Sequence, residues 1–226
     1  MQRVEFHCHT IYSKDSLATP QQVVETCRRK GIDRVVITDH NRIAGALAAK
    51  SLDPERVIIG EEIMTAQGEL LAAFVQEEIP AGLEPKEAIE RLRTQGAFIS
   101  VSHPFDALRS GHWQAEDLLP IVPHIDAIET FNARCMRSSF NSEAQTFAQE
   151  HELLGTAGSD AHALFEYGKA TMLLPEIDNA ISLKAALELV EYDVTLSSFW
   201  VHFSSRYAVW RKGLNPAAYG QYALKP

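Results

Sequence analysis

Five times along this 226-residue chain a short apolar run ends in histidine or carboxylate. His7 and His9 follow Val4-Glu5-Phe6, Asp39-His40 follows Asp33 to Thr38, Glu61-Glu62 follows Val57 to Ile59, His103 follows Phe98 to Val101, and Asp160 with His162 follows Leu153 to Thr156. Side chains two apart on a strand share a side, so His7 with His9, and Asp160 with His162, can each close on one ion. Polar groups confined to the ends of buried strands predict one shared pocket, as at the C-terminal face of β/α barrels.

The segments between these runs read as helices. Thr19-Pro20-Gln21-Gln22 has an N-cap, a proline at the first helical position and a capping-box partner, and Gly31 suits the left-handed residue that ends a helix. Further helices are expected over 43–50, 85–95 (closed by Gly96), 141–150 and 182–191, with strands over 70–75, 127–129 and 171–174. Strands alternating with helices predict a parallel sheet or barrel. From Thr195 the composition changes. This stretch carries Arg206, Arg211, Lys212 and Lys225, no acidic residue, and seven aromatics, and it is read as an appendage packed on the barrel.

Composition narrows the function classes. A formal charge of −9 opposes general attraction to a nucleic-acid duplex or an anionic membrane, which needs a clustered cationic face. Cys8, Cys27 and Cys135 show no paired spacing, which favours a reducing compartment over a disulfide framework. With a strand-like start and no long apolar stretch, the expected location is cytoplasmic.

Taken in order, His7-Cys8-His9, Thr10 to Asp15, Ile37-Thr38-Asp39-His40, Gly60-Glu61-Glu62, Ser102-His103-Pro104 and Gly158-Ser159-Asp160-Ala161-His162 resemble the PHP (polymerase and histidinol phosphatase) family of metal-dependent phosphoesterases, over about residues 4 to 162. The resemblance implies an α/β fold, a distorted (β/α)7 barrel over residues 1–194 with a short C-terminal extension over 195–226. It also implies two or three divalent ions (Mn, Zn, Mg or Fe) at the strand ends. His7, His9 and Asp160 would bind the first ion and Glu62 would bridge the first and second. Asp15, His40 and His162 would bind the third, and His103 would help complete the shell of the middle one. Where family members place a further His or Cys on the middle ion, this chain has Glu69 and, near the second such position, Asn132. Glu69 is an oxygen donor that favours harder ions such as Mn²⁺ or Mg²⁺. Asp160, His103 and Glu62 would form the catalytic centre.

Such a site hydrolyses phosphate esters by activating water between ions and neutralising the phosphoryl oxygens. The expected substrate is a small phosphorylated metabolite or nucleotide, such as a nucleoside 3′,5′-bisphosphate or the 5′ end of an oligonucleotide, with Arg134 and Asn132 as substrate contacts. Histidinol phosphate is the rival within that class. A C–N hydrolase of the amidohydrolase type and a non-catalytic metal-binding PHP module are the alternatives outside it. His112, His124, His151 and His202 follow no motif and read as ordinary core or rim residues. Asp39 and Glu61 should point away from His40 and Glu62, and Cys8 should face the barrel wall as an inert thiol.

Overall fold

The computed structural model describes residues 1–222. Thr19 caps the first helix, α1 (Pro20–Lys30), by accepting from Gln22 N, while the Gln22 side chain accepts from Thr19 N; Gly31, at φ 66°, ends it. This is the capping box read from the sequence, and it turns the chain so that β1 (Gln2–Glu5) and β2 (Arg34–Ile37) lie parallel. The pattern continues with α2 (Ala44–Leu52), β3 (Val57–Met64), β4 (Glu69–Ala73), α3 (Pro85–Thr94), β5 (Phe98–Val101), α4 (Ala115–Leu118) with a following 3₁₀ turn, β6 (Ala127–Asn132), α5 (Ser138–Glu150) and β7 (Leu154–Gly158).

These strands are neighbours in sequence order from β1 to β7. An isolated parallel bridge between Cys8 and Ala161, just past the ends of β1 and β7, brings the two edges together, so the sheet is a nearly closed barrel. The expected parallel arrangement fails at β4, which runs antiparallel to both neighbours. The reason is local. Only Thr65 to Gly68 separate β3 from β4, pinned by Thr65 N and Oγ1 on the Gly68 carbonyl at 2.9 and 2.6 Å, and a turn that short cannot hold the crossover a parallel pair needs. A second departure follows β7. β8 (Ala170–Leu174) runs antiparallel to β1 and pairs with β9 (Glu191–Val194), so α6 (Ala180–Leu187) stops short of the expected 191 and Tyr192 instead bonds the Gly155 carbonyl at 3.1 Å.

Three apolar clusters hold the sheet. One surrounds Phe6 and Phe98, whose rings meet edge to face at 5.8 Å, a contact worth about 0.5–1.5 kcal/mol beyond its area, and it includes Leu183 and Leu187 of α6. Lys184 Nζ reaches Asp126, just before β6, at 3.0 Å, so α6 covers the end where β5 and β6 begin. The second lies under α1 and α2 and takes in Cys8, fully buried as expected, and the third lies beneath α3 and α5. The end where most strands finish is left to polar side chains.

Past β9 the chain forms α7 (Val201–Leu214), α8 (Pro216–Tyr219) and a last turn to Tyr222. Phe199, Trp200, Phe203, Tyr207 and Trp210 are exposed, and Lys225 lies outside the described residues. Among the described residues, no helix is long and apolar enough to cross a membrane.

Candidate metal centre

Each cluster singled out in the sequence arrives at one rim. His7 and His9 follow β1, Asp39 and His40 follow β2, His103 follows β5, and Asp160 and His162 follow β7. Glu62 sits inside the second half of β3, which is longer than expected, and a bridge to His40 aligns it with the end of β2. Glu69 reaches the same rim because β4 is reversed and therefore begins where its neighbours end. Gly158 permits the closing approach of β7, since a Cβ there would collide with His7 Cβ. His103 and Asp160 hold positive φ angles of 21° and 50°, which costs backbone energy and turns both side chains off the strand line into the site.

The donors converge. His7 Nε2 lies 3.2 Å from Glu62 Oε1 and 3.6 Å from Asp160 Oδ1, and His9 Nε2 lies 3.4 Å from Glu62 Oε2 and 3.2 Å from Asp160 Oδ1. His103 Nε2 is 3.2 Å from Glu62 Oε1 and 3.5 Å from Glu69 Oε2. On the other side Asp15 stands 3.5 Å from His40 Nε2 and 3.2 Å from His162 Nε2. Three overlapping groups, His7/His9/Glu62, His9/His40/His162 and His40/Glu62/Glu69, each bring their donor atoms within 4.8 Å of one another. His7 Nε2, His9 Nε2, Glu62 Oε2, Asp160 Oδ1 and Asp15 Oδ1 are buried and face one another and the neighbouring histidines, His40 Nδ1 lying 2.8 Å from Glu62 Oε2, without a well-aligned hydrogen bond among the described residues. A ring of imidazoles and carboxylates turned on one space is a donor set that suits divalent cations. The residues present therefore fit such ions.

The electrostatics agree with that reading. Burial opposes charge on His7 and His40, yet Glu62 facing both, with Glu129 and Asp160 at His7 and Asp15 at His40, holds each imidazolium well above the ordinary range. Burial drives His9 the other way, well below it, helped by His162 and His40 alongside. Burial would raise Glu62 and Asp160, but His7 and His40 hold the first, and Arg109 and His7 the second, well below the usual carboxylate range. Burial and the neighbouring Glu62 keep Glu69 above it. The site is thus a dense cluster of buried carboxylates faced by histidines.

A hydrogen-bonded layer orients the donors. Asp39 accepts from Thr10 N, Thr10 Oγ1 and Ser13 Oγ at 2.7, 2.6 and 2.5 Å, and Ser13 Oγ also meets His9 Nδ1 at 3.2 Å, so Asp39 points away from His40 as expected and shapes the loop that carries Asp15. Glu129, which sequence reading missed, contacts His7 Nδ1 at 2.9 Å through one oxygen and accepts from His103 N and Asn132 Nδ2 at 2.9 and 3.0 Å through the other. Its only signal was a lone carboxylate inside the buried β6. Such a partner fixes the imidazole's tautomer and ring angle.

The two expected substrate contacts sit differently from one another. Asn132 is fully buried and donates to Glu129 and, at 3.3 Å, to Asp160, while its Oδ1 accepts from Arg134 N at 2.9 Å. Arg134 lines the cleft, but its guanidinium bonds Ser205 Oγ and the Val201 carbonyl of α7 at 2.7 and 3.1 Å and faces Glu166 at 3.3 Å. Arg109, absent from the sequence reading because its loop carries no periodic signal, places Nη1 at 2.5 Å from Asp160 Oδ2.

Above the donors opens a cavity of about 880 Å³. One wall is the C-terminal segment, where His202, Ser205, Val209 and Lys212 of α7 face inward with Tyr219 and Tyr222, so His202 belongs to the cleft although no motif marked it; Arg206 is exposed and not part of this lining. Lys212 Nζ donates to the Ile11 and Ser13 carbonyls at 2.7 and 2.6 Å, and burial pulls it down to about 8.

Comparison with known proteins matches residues 5–119 to the PHP domain and residues 138–189 to a PHP-associated region. An uncharacterised protein of Methanocaldococcus jannaschii is 35% identical over 179 residues, 78% of this chain and 72% of that protein. Among solved structures, a two-domain protein of Bacteroides vulgatus containing a predicted PHP-like metal-dependent phosphoesterase superposes with a TM-score of 0.68 at 19% identity, over 85% of this chain and 64% of that one. The lesion-specific endonuclease EndoQ of Pyrococcus furiosus superposes with a TM-score of 0.56 at 14% identity, over 84% of this chain and 57% of that one. This chain thus spans somewhat less than two thirds of the length of either. With the motif order, the rim of donors and the matched region in agreement, this chain belongs to the PHP domain family.

Proposed function

We propose that this protein is a metal-dependent hydrolase of phosphate esters on small phosphorylated substrates, nucleotides included. The observation that carries the reading is the convergence of the buried donors His7 Nε2, His9 Nε2, Glu62 and Asp160 Oδ1, each imidazole within 3.6 Å of both carboxylates, together with a cleft lined by Asp15, His40, Glu69 and His162. Two or three divalent cations held there, such as manganese, zinc, magnesium or iron, would supply a water of lowered pKa and neutralise the phosphoryl oxygens.

In this reading His7, His9, Glu62 and Asp160 would hold one cation, His103 and Glu69 with Glu62 would hold a second, and Asp15, His40 and His162 would hold a third. Glu129 locks the His7 ring through Nδ1. Arg109 lies on the cleft side of Asp160, where its remaining donors can meet a phosphoryl oxygen as a charge-assisted pair. Arg134 acts mainly by tying the rim to α7. Asp160, with one oxygen facing the histidines and the other on Arg109, would be a positioning ligand that stays ionised, the Arg109 pair fixing its angle toward the cation.

Many enzymes of the amidohydrolase alternative use a carboxylated lysine among the metal donors. Lys212, the best-buried lysine of the cleft, is instead engaged with backbone carbonyls, which supports the phosphoester reading.

The test is phosphate release from mononucleotides, nucleoside 3′,5′-bisphosphates, histidinol phosphate, 5′-phosphorylated oligonucleotides and a nitrophenyl phosphodiester by protein stripped of metal and reloaded with Mn²⁺, beside a His7→Ala/Asp160→Ala double variant. Metal-dependent turnover lost in the variant is the expected result. Stoichiometric metal with no turnover on any substrate would defeat the proposal.

A further inference from the structure

The cavity has a mixed lining. Asp15, His40, Glu69 and His162 contribute its imidazoles and carboxylates, while Met64, Leu108, Met136, Val209, Tyr219 and Tyr222 give it apolar and aromatic surface. Half of that apolar set comes from the C-terminal segment, which no motif in the chain connects with the metal centre.

The segment is fastened to the site at both ends. At the start of α7, Arg134 donates to the Val201 carbonyl and Ser205 Oγ at 3.1 and 2.7 Å, and Ser204 Oγ approaches Glu166 at 3.5 Å. At its far end Lys212 Nζ donates to the carbonyls of Ile11 and Ser13, in the loop that carries Asp15. The last turn is held as well, because the Tyr222 carbonyl accepts from Arg42 and the Tyr222 ring meets Tyr12 edge to face at 5.0 Å, with Arg42 stacked 5.4 Å from the Tyr12 centroid. These contacts use up the Lys212 ammonium and much of the Arg134 guanidinium on protein groups. Neither is left as a free cation for a second anionic group, and what the segment offers the cleft is chiefly apolar and aromatic surface.

We infer that the segment from Val201 to Tyr222 is the substrate-selecting wall of this cleft, and that it admits a phosphoester whose leaving group is compact, uncharged and planar or apolar. This rests on the phosphoesterase reading for the word "leaving" alone; the binding preference stands on the wall itself. A volume of about 880 Å³ lies within the range of cavities that enclose one small molecule, and a lining of Val, Met and Tyr beside imidazoles and carboxylates recognises a ligand that is anionic at one end and apolar at the other.

The test separates binding from turnover. Calorimetry on the Mn²⁺-loaded full chain would compare phenylphosphonate with methylphosphonate, which share the anionic end and carry no ester to cleave. The expected result is phenylphosphonate bound at least about tenfold more tightly, the effect of burying one ring in an apolar lining. In a Val209→Ser/Tyr219→Ala/Tyr222→Ala variant the ratio should fall to within about threefold, or roughly 0.7 kcal/mol. Val209 is 48% exposed, so that substitution leaves the fold intact, and a melting curve checks the combined variant. Equal affinities in the natural protein, a ratio that survives the triple change, or no binding of either phosphonate would each overturn the inference. Absence of turnover on phenyl phosphate and on every phosphate ester of the panel, while the phosphonate preference holds, would instead remove the phosphoesterase reading and leave the wall standing.

Discussion

Arg109 Nη1 lies 2.5 Å from Asp160 Oδ2, on the far side of the carboxylate whose other oxygen faces His7 and His9. One buried anion is thus shared between a fixed cation and the space where a metal ion would sit. Replacing Arg109 by Met should tighten Mn²⁺ binding, because removing a positive charge that close to the donor removes a competitor, while weakening affinity for inorganic phosphate. Calorimetry of both ligands decides it. Weaker Mn²⁺ binding would mean that Arg109 chiefly holds Asp160 in place.

Glu62 touches more of the centre than any other carboxylate, with His7, His9, His40 and His103 all within 3.4 Å. Glu62→Gln keeps the shape and removes the charge. Turnover should fall by more than about 100-fold, beyond the 10–100-fold typical of supporting groups, and metal per chain should drop by at least one ion. Full metal content measured by elemental analysis would rule out a shared ligand.

Glu129 never faces the cleft, yet it holds both His7 and the backbone of His103. The Glu129→Gln variant should bind Mn²⁺ about 10–100-fold more weakly with little change in KM, since the effect passes through ring orientation. A raised KM with unaltered metal affinity would place Glu129 in substrate binding instead.

Burial pushes Glu61 up to about 8, with Glu78 adding to the shift and the Ile79 amide opposing it. The folded protein therefore keeps a proton on Glu61 that the unfolded chain loses near its ordinary value of 4.5. Between those values the native state binds more protons, so this group's contribution is fully present at low pH and is lost as pH rises toward 8. A Glu61→Gln variant lacks the dependence. Melting temperatures of the two proteins should diverge from pH 5 to pH 9 in favour of the variant at the alkaline end, and parallel curves would show that Glu61 is ionised in the fold.

How far the sequence was legible varies from element to element. The capping box of α1 and the strand leading to Asp39-His40 could be read because local hydrogen-bond chemistry and alternation settle them within a few residues. The reversal of β4 could not, although its cause is a short turn, because Glu69 at the head of an apolar run reads the same in either direction. β9 could not be read, and Glu191 was taken as the end of a helix, because the four residues Glu191–Val194 become a strand only when β8 is beside them.

The site divides in the same way. By itself the sequence placed His7, His9, His40, His103, Asp160 and His162 at one rim, because each stands just past a strand and parallel strands finish at one end, while Asp15, Glu69 and the ligand role of Glu62 were added by the family resemblance. The tertiary structure alone decided what surrounds them. Glu129 under His7, Arg109 against Asp160 and the α7 wall over the cleft join positions 122, 51 and up to about 200 residues apart, and contacts so distant leave no periodic trace in the chain because three-dimensional closure, not local backbone preference, creates them.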